Sequence, residues 1–363
     1  MTTHGLCFGK FYPPHLGHFF LCDVALRNCD KLTIIVCSTP HEKIDGHLRY
    51  KWMKEAYGDK ARVLHLHADL PQTPEEMETP QAFYKLWSEE LYKVNGWHNP
   101  FDVLFTSEEY GEKFAPYLSL GNMWGFGEAD EHYHKCRHFM VDQERKYVPT
   151  SGTACRTNPF AEWKHMHPVV RKHFTQKVLI VGGESCGKST LTNRLAAHYT
   201  GQGMICANVQ EYARSWIDGN LGGDVSKVTL DHITHFGKTQ HAMVKALGEN
   251  GDSQLIFSDT DALTSAIFQV EWFNEVDAEL GALIWSEEYC RMFDLILLLH
   301  PTVPWVDDGQ RNLPHRRQEI ATMLREGYRM RGMNVVDIDS FDYEERFKAA
   351  VEAVDKLIEG MAV

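Results

Sequence analysis

The octapeptide GGESCGKS, Gly182 to Ser189, fits G-x-x-x-x-G-K-[ST] directly after the apolar run VLIV and directly before a helical pattern. Holding a nucleotide polyphosphate takes many backbone N–H groups at once; glycines let a loop wrap close to the anion, and a following helix adds the partial positive charge of its N-terminus. In this reading Gly182, Gly183, Glu184, Ser185, Cys186 and Gly187 form the cradle, extended by Thr190. Lys188 bridges the β- and γ-phosphates and Ser189 joins a Mg2+ shell. A glycine-rich turn with an exposed lysine is the alternative, and it leaves the flanking strand and helix unexplained.

Two further segments bear on the same chemistry. QLIFSDTDA ends an apolar strand with Asp259 and Asp261, where a carboxylate can reach Mg2+ or take a proton from an attacking hydroxyl. A helix N-cap would account for one of the pair. WVDDGQRNLPHRR follows the run LILLLH and offers Arg311, Arg316 and Arg317. In a small-molecule kinase such a segment closes over the phosphates and neutralises charge as it develops, and a solvated charge run is the alternative for any single arginine.

A second anion site is written near the N-terminus. GKFYPPHLGHFFL puts His15 and His18 around Gly17, after Gly9, Lys10 and Phe11 and at the start of an apolar helix. Both imidazoles then face a helix N-terminus and can donate to phosphate oxygens, while Gly17 lets a base lie against the backbone. SGTACR adds Ser151 and Thr153 as helix-entry hydroxyls and Arg156 as a fork for a leaving pyrophosphate.

Loops of this kind need strands and helices to aim them. Short apolar runs alternate with helical patterns along the whole chain, which predicts parallel sheets with crossover helices. The first series has strands at 6–8, 32–38, 62–67, 103–106 and 138–141 and helices at 19–27, 50–57 and 83–94. The second has strands at 178–181, 254–258, 294–300 and 334–338, with helices at 188–199 and 343–359. The expected fold is α/β in two domains, a Rossmann-like sheet over 1–170 and a P-loop sheet over 171–363, joined near Trp163–Gln176.

Composition bounds the partners. The 363 residues carry a formal charge of −13, against a protein that coats nucleic acid through its net field. Nine scattered cysteines without a CxxC fit reduced thiols in a cytoplasmic protein. No stretch reaches the roughly 18 apolar residues of a membrane span, and no signal peptide opens the chain. EHYHKCRH alternates His132, His134, Cys136 and His138, which we assign to packing and local hydrogen bonds rather than to a metal.

Together the HxGH segment and SGTACRTNPF resemble motifs of the nucleotidylyltransferase superfamily. With TSEEYGEKFA, EYAR, LGGD, DTD and WVDDGQR in this order, nearly the whole chain resembles the NadR-type bifunctional family, a nicotinamide-nucleotide adenylyltransferase fused to a ribosylnicotinamide kinase. The resemblance implies ATP and Mg2+ as cofactors, nicotinamide riboside and its mononucleotide as small-molecule partners, and NAD as a product. It implies that Ser107 and Glu108 help to recognise the nicotinamide nucleotide, that Arg214 and Arg311 contact phosphate or substrate, and that Tyr212 or Trp305 stacks on a ring. Trp87 is another aromatic that could meet the nicotinamide.

Some members of the family carry an N-terminal DNA-binding segment; here the first strand starts almost at Met1, so nucleic-acid binding is not expected. Gly152 stands where many relatives have another small residue, which should preserve the phosphate contact. A pair of activities on a flavin or pantetheine nucleotide, and a regulator that binds ATP and NAD without turnover, remain open on sequence. So does assembly into a homo-oligomer.

Overall fold

Apolar runs without polar alternation need cover on both faces, and they settle in the middle of parallel sheets. In the computed structural model, which describes residues 2–119, 134–306 and 313–362, β1 (His4–Gly9), β2 (Lys31–Ser38) and β4 (Val103–Thr106) are such strands. With β3 (Arg62–His67) and β5 (Arg137–Met140) at the margins they form a five-stranded parallel sheet of order β3-β2-β1-β4-β5. The marginal strands are less covered, as edges are, and β5 has no fully buried position. Leu6, Ile35, Leu91, Tyr92, Phe101 and Leu104 are the centre of the core on one face.

The second series repeats the logic with a different order. Here β6 (Gln176–Gly182), β8 (Leu255–Asp259) and β9 (Leu295–Leu299) are central, and β7 (Cys206–Val209) and β10 (Val335–Ile338) are edges, in the order β10-β9-β6-β8-β7. All pairings are parallel. The chain thus divides into two compact α/β units, Met1–Val170 and Arg171–Met361.

Helices begin at their caps, upstream of their first apolar residue. The helix expected from Phe19 starts at Leu16 behind His15, and the one expected from Tyr50 starts at Gly46, where Asp45 accepts from Leu48 N at 3.0 Å. The helix expected from Phe83 starts at Pro80, capped by Thr79 and stopped by Gly96. Further helices at Tyr212–Leu221, Leu230–Asn250, Ala262–Phe273 and Arg317–Met330 carry crossovers or walls that the apolar runs alone do not announce. Among the described residues no helix is long and apolar enough to cross a membrane.

Candidate active sites

In the first unit the carboxyl ends of β1 and β4 flank a cavity of about 610 Å3, at the switch of strand order where open α/β sheets place ligands. Gly9, Lys10, Phe11, His15, Gly17 and His18 line one side of it, and Ser107 and Glu108 the other. His15 is the N-cap of Leu16–Asn28. Its Nδ1 accepts from Gly17 N at 3.2 Å, and its own backbone N–H donates to His18 Nδ1 at 3.2 Å. A ring whose Nδ1 accepts carries its proton on Nε2, so these two bonds assign the tautomer of both histidines.

The rings lie 3.9 Å apart. Burial lowers the His15 pKa to about 4, with the guanidinium of Arg145 adding to the effect. Enclosure of the ring takes His18 well below the usual range, helped by His15 and Arg145. Both imidazoles are therefore neutral near pH 7, each with an Nε2–H to offer an anion. A Cβ on Gly17 would come within 3.0 Å of the His15 ring, so glycine is what lets that ring turn back onto its own helix.

The carbonyls of this turn are taken by guanidiniums. Arg49, fully buried and paired with Glu42, donates to Lys10 O; Arg156 donates to Tyr12 O and lies 4.2 Å over the Tyr12 ring. Arg156, expected to fork onto a pyrophosphate, is here bonded to the turn. Ser151, likewise, caps Gly152–Thr157 by accepting from Ala154 N at 3.1 Å, and Thr153 accepts from Arg156 at 3.2 Å. None of Ser151, Thr153 and Arg156 lines the cavity, and Gly152 serves to admit the Tyr12 carbonyl, which an added Cβ would meet at 2.5 Å.

The guanidinium that does line it is Arg145, 3.6 Å from Glu108, which the residue pattern did not single out because DQERK reads as a solvated charge run. Aromatic cover comes from Phe83, Tyr84 and Trp87. Of the alternating histidines, His134 bonds Asp102 and His138 bonds Thr106, each at 2.9 Å; His132 lies outside the described residues. Among the described residues no group of His, Cys, Asp or Glu could hold a metal by itself.

In the second unit a cavity of about 180 Å3 joins the Gly182–Ser189 loop to a wall of Ile217, Phe236, Phe268 and Trp272. Gly187, at φ 85°, ends the loop in a left-handed turn before the helix Lys188–Gly201. Lys188, Ser189 and Thr190 line the cavity with Glu211 and Arg214. Lys188 Nζ donates to Gly183 O at 3.1 Å. The side chains of Glu184 and Ser185 accept from Leu313 N and Val306 N at 2.9 Å.

The two aspartates part company. Ile180 pairs with Asp259 across β6 and β8, which brings that carboxylate alongside the loop. It is fully buried, and neither oxygen has a hydrogen-bond partner among the described residues. Burial raises its pKa to about 6; Lys188 opposes, Glu211 adds to the rise, and Ser189 and Arg214 also oppose. An orphaned carboxylate beside a hydroxyl fits a divalent cation. Asp261, by contrast, caps Ala262–Phe273, accepting from Thr264 N at 3.0 Å and from the Tyr289 hydroxyl; it is the structural member of the pair.

The described arginines of the 305–317 segment have separate partners. Arg316 forms a two-pronged pair with Glu271 at 2.8 Å, and Arg317 is buried behind the loop with Trp305 near it at 5.8 Å; Arg311 lies outside the described residues. Tyr212 bonds His235 at 3.0 Å and lines no part of the cavity, nor does Trp305. The rings that do, Phe236, Phe268 and Trp272, sit on helices whose apolar spacing reads simply as core.

Fold and sites together define a protein with two nucleotide-binding α/β units, one built on an HxGH turn and one on a P-loop. A protein-family model described as an AAA domain matches residues 177–346. The chain is homologous to NadR: over 98% of its length it is 28% identical to the trifunctional NAD biosynthesis/regulator protein NadR of Escherichia coli, spanning 83% of that protein. Its identity to the Salmonella typhimurium protein of the same name is 27%, with the same coverage. Among solved structures, a NadR protein in complex with NR matches with a TM-score of 0.68 and 22% identity, over 98% of this chain and 96% of that one. A NadR protein in complex with NAD and AMP-PNP matches with a TM-score of 0.65 and 21% identity, over 99% and 97%.

Two stability measurements follow from these assignments. His15 is protonated in the unfolded chain below pH 6.5 but in the fold only near pH 4, and the His18 pKa is lowered by burial as well, so urea midpoints should fall as pH drops from 7 to 5. His15→Asn, which keeps an N-cap acceptor, should flatten that slope. For the aspartates the signs are opposite. Asp261→Ala should cost about 2–4 kcal/mol through the lost cap and the stranded Tyr289 hydroxyl. Asp259→Asn should raise the midpoint at pH 7.5, because a carboxylate whose pKa rises on folding opposes folding once ionised.

Proposed function

We propose that the Arg171–Met361 unit phosphorylates nicotinamide riboside with ATP to the mononucleotide and ADP. The Met1–Val170 unit then adenylylates the mononucleotide with a second ATP, giving NAD and pyrophosphate. The observation that carries this reading is that each anion-holding turn opens onto its own aromatic-lined cavity, in a chain homologous to NadR along both units.

In the kinase unit the riboside's 5′-hydroxyl attacks the γ-phosphorus and the bond to the β-phosphate oxygen breaks. The loop amides and Lys188 hold the phosphates, and Asp259 accepts or orients the hydroxyl proton at its buried carboxylate. Ser189 and Asp259 would hold Mg2+, which supplies neutralisation of the charge shared between phosphate oxygens. Phe236, Phe268 and Trp272 give the pyridinium ring an aromatic wall, and Glu211 and Arg214 are polar groups within reach of the ribose.

In the adenylyltransferase unit the mononucleotide's own phosphate attacks the α-phosphorus of ATP, so no protein nucleophile and no base is needed. The work is alignment and charge stabilisation. His15 and His18 donate through Nε2, Lys10 and Arg145 supply positive charge at the cavity, and Trp87 and Phe83 cover the nicotinamide beside Ser107 and Glu108.

Incubation with ATP, Mg2+ and nicotinamide riboside should yield the mononucleotide and then NAD, followed by chromatography; binding without product would instead mark a sensor. Lys188→Ala should lower riboside phosphorylation by about a hundredfold or more while leaving NAD formation from supplied mononucleotide intact. His18→Ala should do the reverse. If Lys188→Ala phosphorylates the riboside normally, the kinase assignment fails.

A further inference from the structure

Every peptide plane points its carbonyl and the next residue's N–H in opposite directions. A loop can therefore face consecutive N–H groups toward an anion only if the preceding carbonyls all face away and find donors there. Behind the Gly182–Ser189 loop, two buried arginines supply them. Arg317, 9% exposed, donates from Nε to Glu184 O at 2.9 Å and from Nη2 to Ser185 O at 3.1 Å. Arg346, 2% exposed, donates from Nη1 to Cys186 O at 2.8 Å. The Gly183 carbonyl points the other way, to Lys188, so the reversal falls between residues 183 and 184.

Each guanidinium is itself fixed from the far side. Arg317 also donates to Val303 O at 3.0 and 3.1 Å; Arg346 reaches Ser340 O and His300 O at 2.6 Å, and Thr302 Oγ1. Val303, His300 and Thr302 follow β9, and Ser340 follows β10, so the loop's polarity is tied to the ends of two neighbouring strands. Among the described residues neither arginine pairs with a carboxylate. Their charge is met mainly by carbonyl dipoles, with the Thr302 hydroxyl and the more distant Asp339 also acting on Arg346, an arrangement apt beneath a polyanion.

We infer that Arg317 and Arg346 are positioning residues of the kinase unit. They hold the carbonyls of Glu184, Ser185 and Cys186 outward, which aims the N–H groups of Ser185, Cys186 and Gly187 at the transferred polyphosphate. Neither touches the nucleotide. The inference rests on the kinase reading of this unit, and it extends that reading to two residues that a search for phosphate ligands would misassign or overlook.

The test compares Arg317→Lys and Arg346→Lys, which keep the charge but not the planar fork. Riboside phosphorylation should show a KM for ATP raised about tenfold or more, with an equal loss in binding of inorganic tripolyphosphate measured by calorimetry. The KM for the riboside and NAD formation from supplied mononucleotide should not change. Folded variants with unaltered ATP and tripolyphosphate affinity would overturn the inference, as would a loss of kcat and thermal stability alone. Should both variants fail to fold, amide hydrogen exchange on the unmodified protein decides: tripolyphosphate should slow the amides of Ser185, Cys186 and Gly187, and unprotected amides overturn the proposal. Tripolyphosphate binding and amide protection need no turnover, so their presence without riboside phosphorylation removes the kinase reading and leaves the positioning role standing.

Discussion

Holding a polyanion with backbone N–H groups obliges a protein to dispose of the carbonyls on the other side of the same peptide planes. Much of the rest of this structure depends on how that obligation is met. In the first unit Arg49 and Arg156 take the carbonyls of Lys10 and Tyr12; in the second Arg317 and Arg346 take those of Glu184, Ser185 and Cys186. The two turns share no sequence pattern and sit on sheets of different strand order, yet in each two guanidiniums take carbonyls of the turn. Arginine suits the task because its planar fork can serve several carbonyls at once and does not lose its proton on burial.

The electrostatics are local throughout. A chain of charge −13 that handles triphosphates cannot rely on its net field, and it places its cations within a few residues of the anion. The histidine pair departs from that rule in an instructive way. Its members are neutral hydrogen-bond donors with assigned tautomers, and Arg145 and Lys10 bring the charge. Separating direction from charge avoids burying two like-charged rings 3.9 Å apart.

Legibility in the sequence followed burial. Central strands such as VLIV and LILLL read plainly because both faces are covered, whereas the edge strand Cys206–Val209, half exposed and containing an asparagine, gave no comparable run. The two turns were legible because glycine, lysine and histidine at fixed spacing have few other uses. Side-chain direction was not. DTD holds one buried carboxylate alongside the loop and one helix cap, and only the register of β6 with β8 and the bond from Tyr289 tell them apart. Arg145 was hidden in a charge run, and Arg317 looked like a lid arginine because a sequence shows that a guanidinium is near a loop without showing which side it is on.

The helix Ala262–Phe273 carries a consequence of another kind. Its N-terminal end is clamped to the core through Asp261 and Tyr289, whereas Val270 and Phe273, toward its other end, are exposed, and Phe268 and Trp272 form part of the cavity wall. That wall belongs to a small satellite cluster, apart from the large core that backs the sheet. On the proposed reading, changes there would reshape the pocket for the acceptor alcohol without touching the Gly182–Ser189 loop. The wall thus hangs on fewer buried side chains than the sheet that carries the loop.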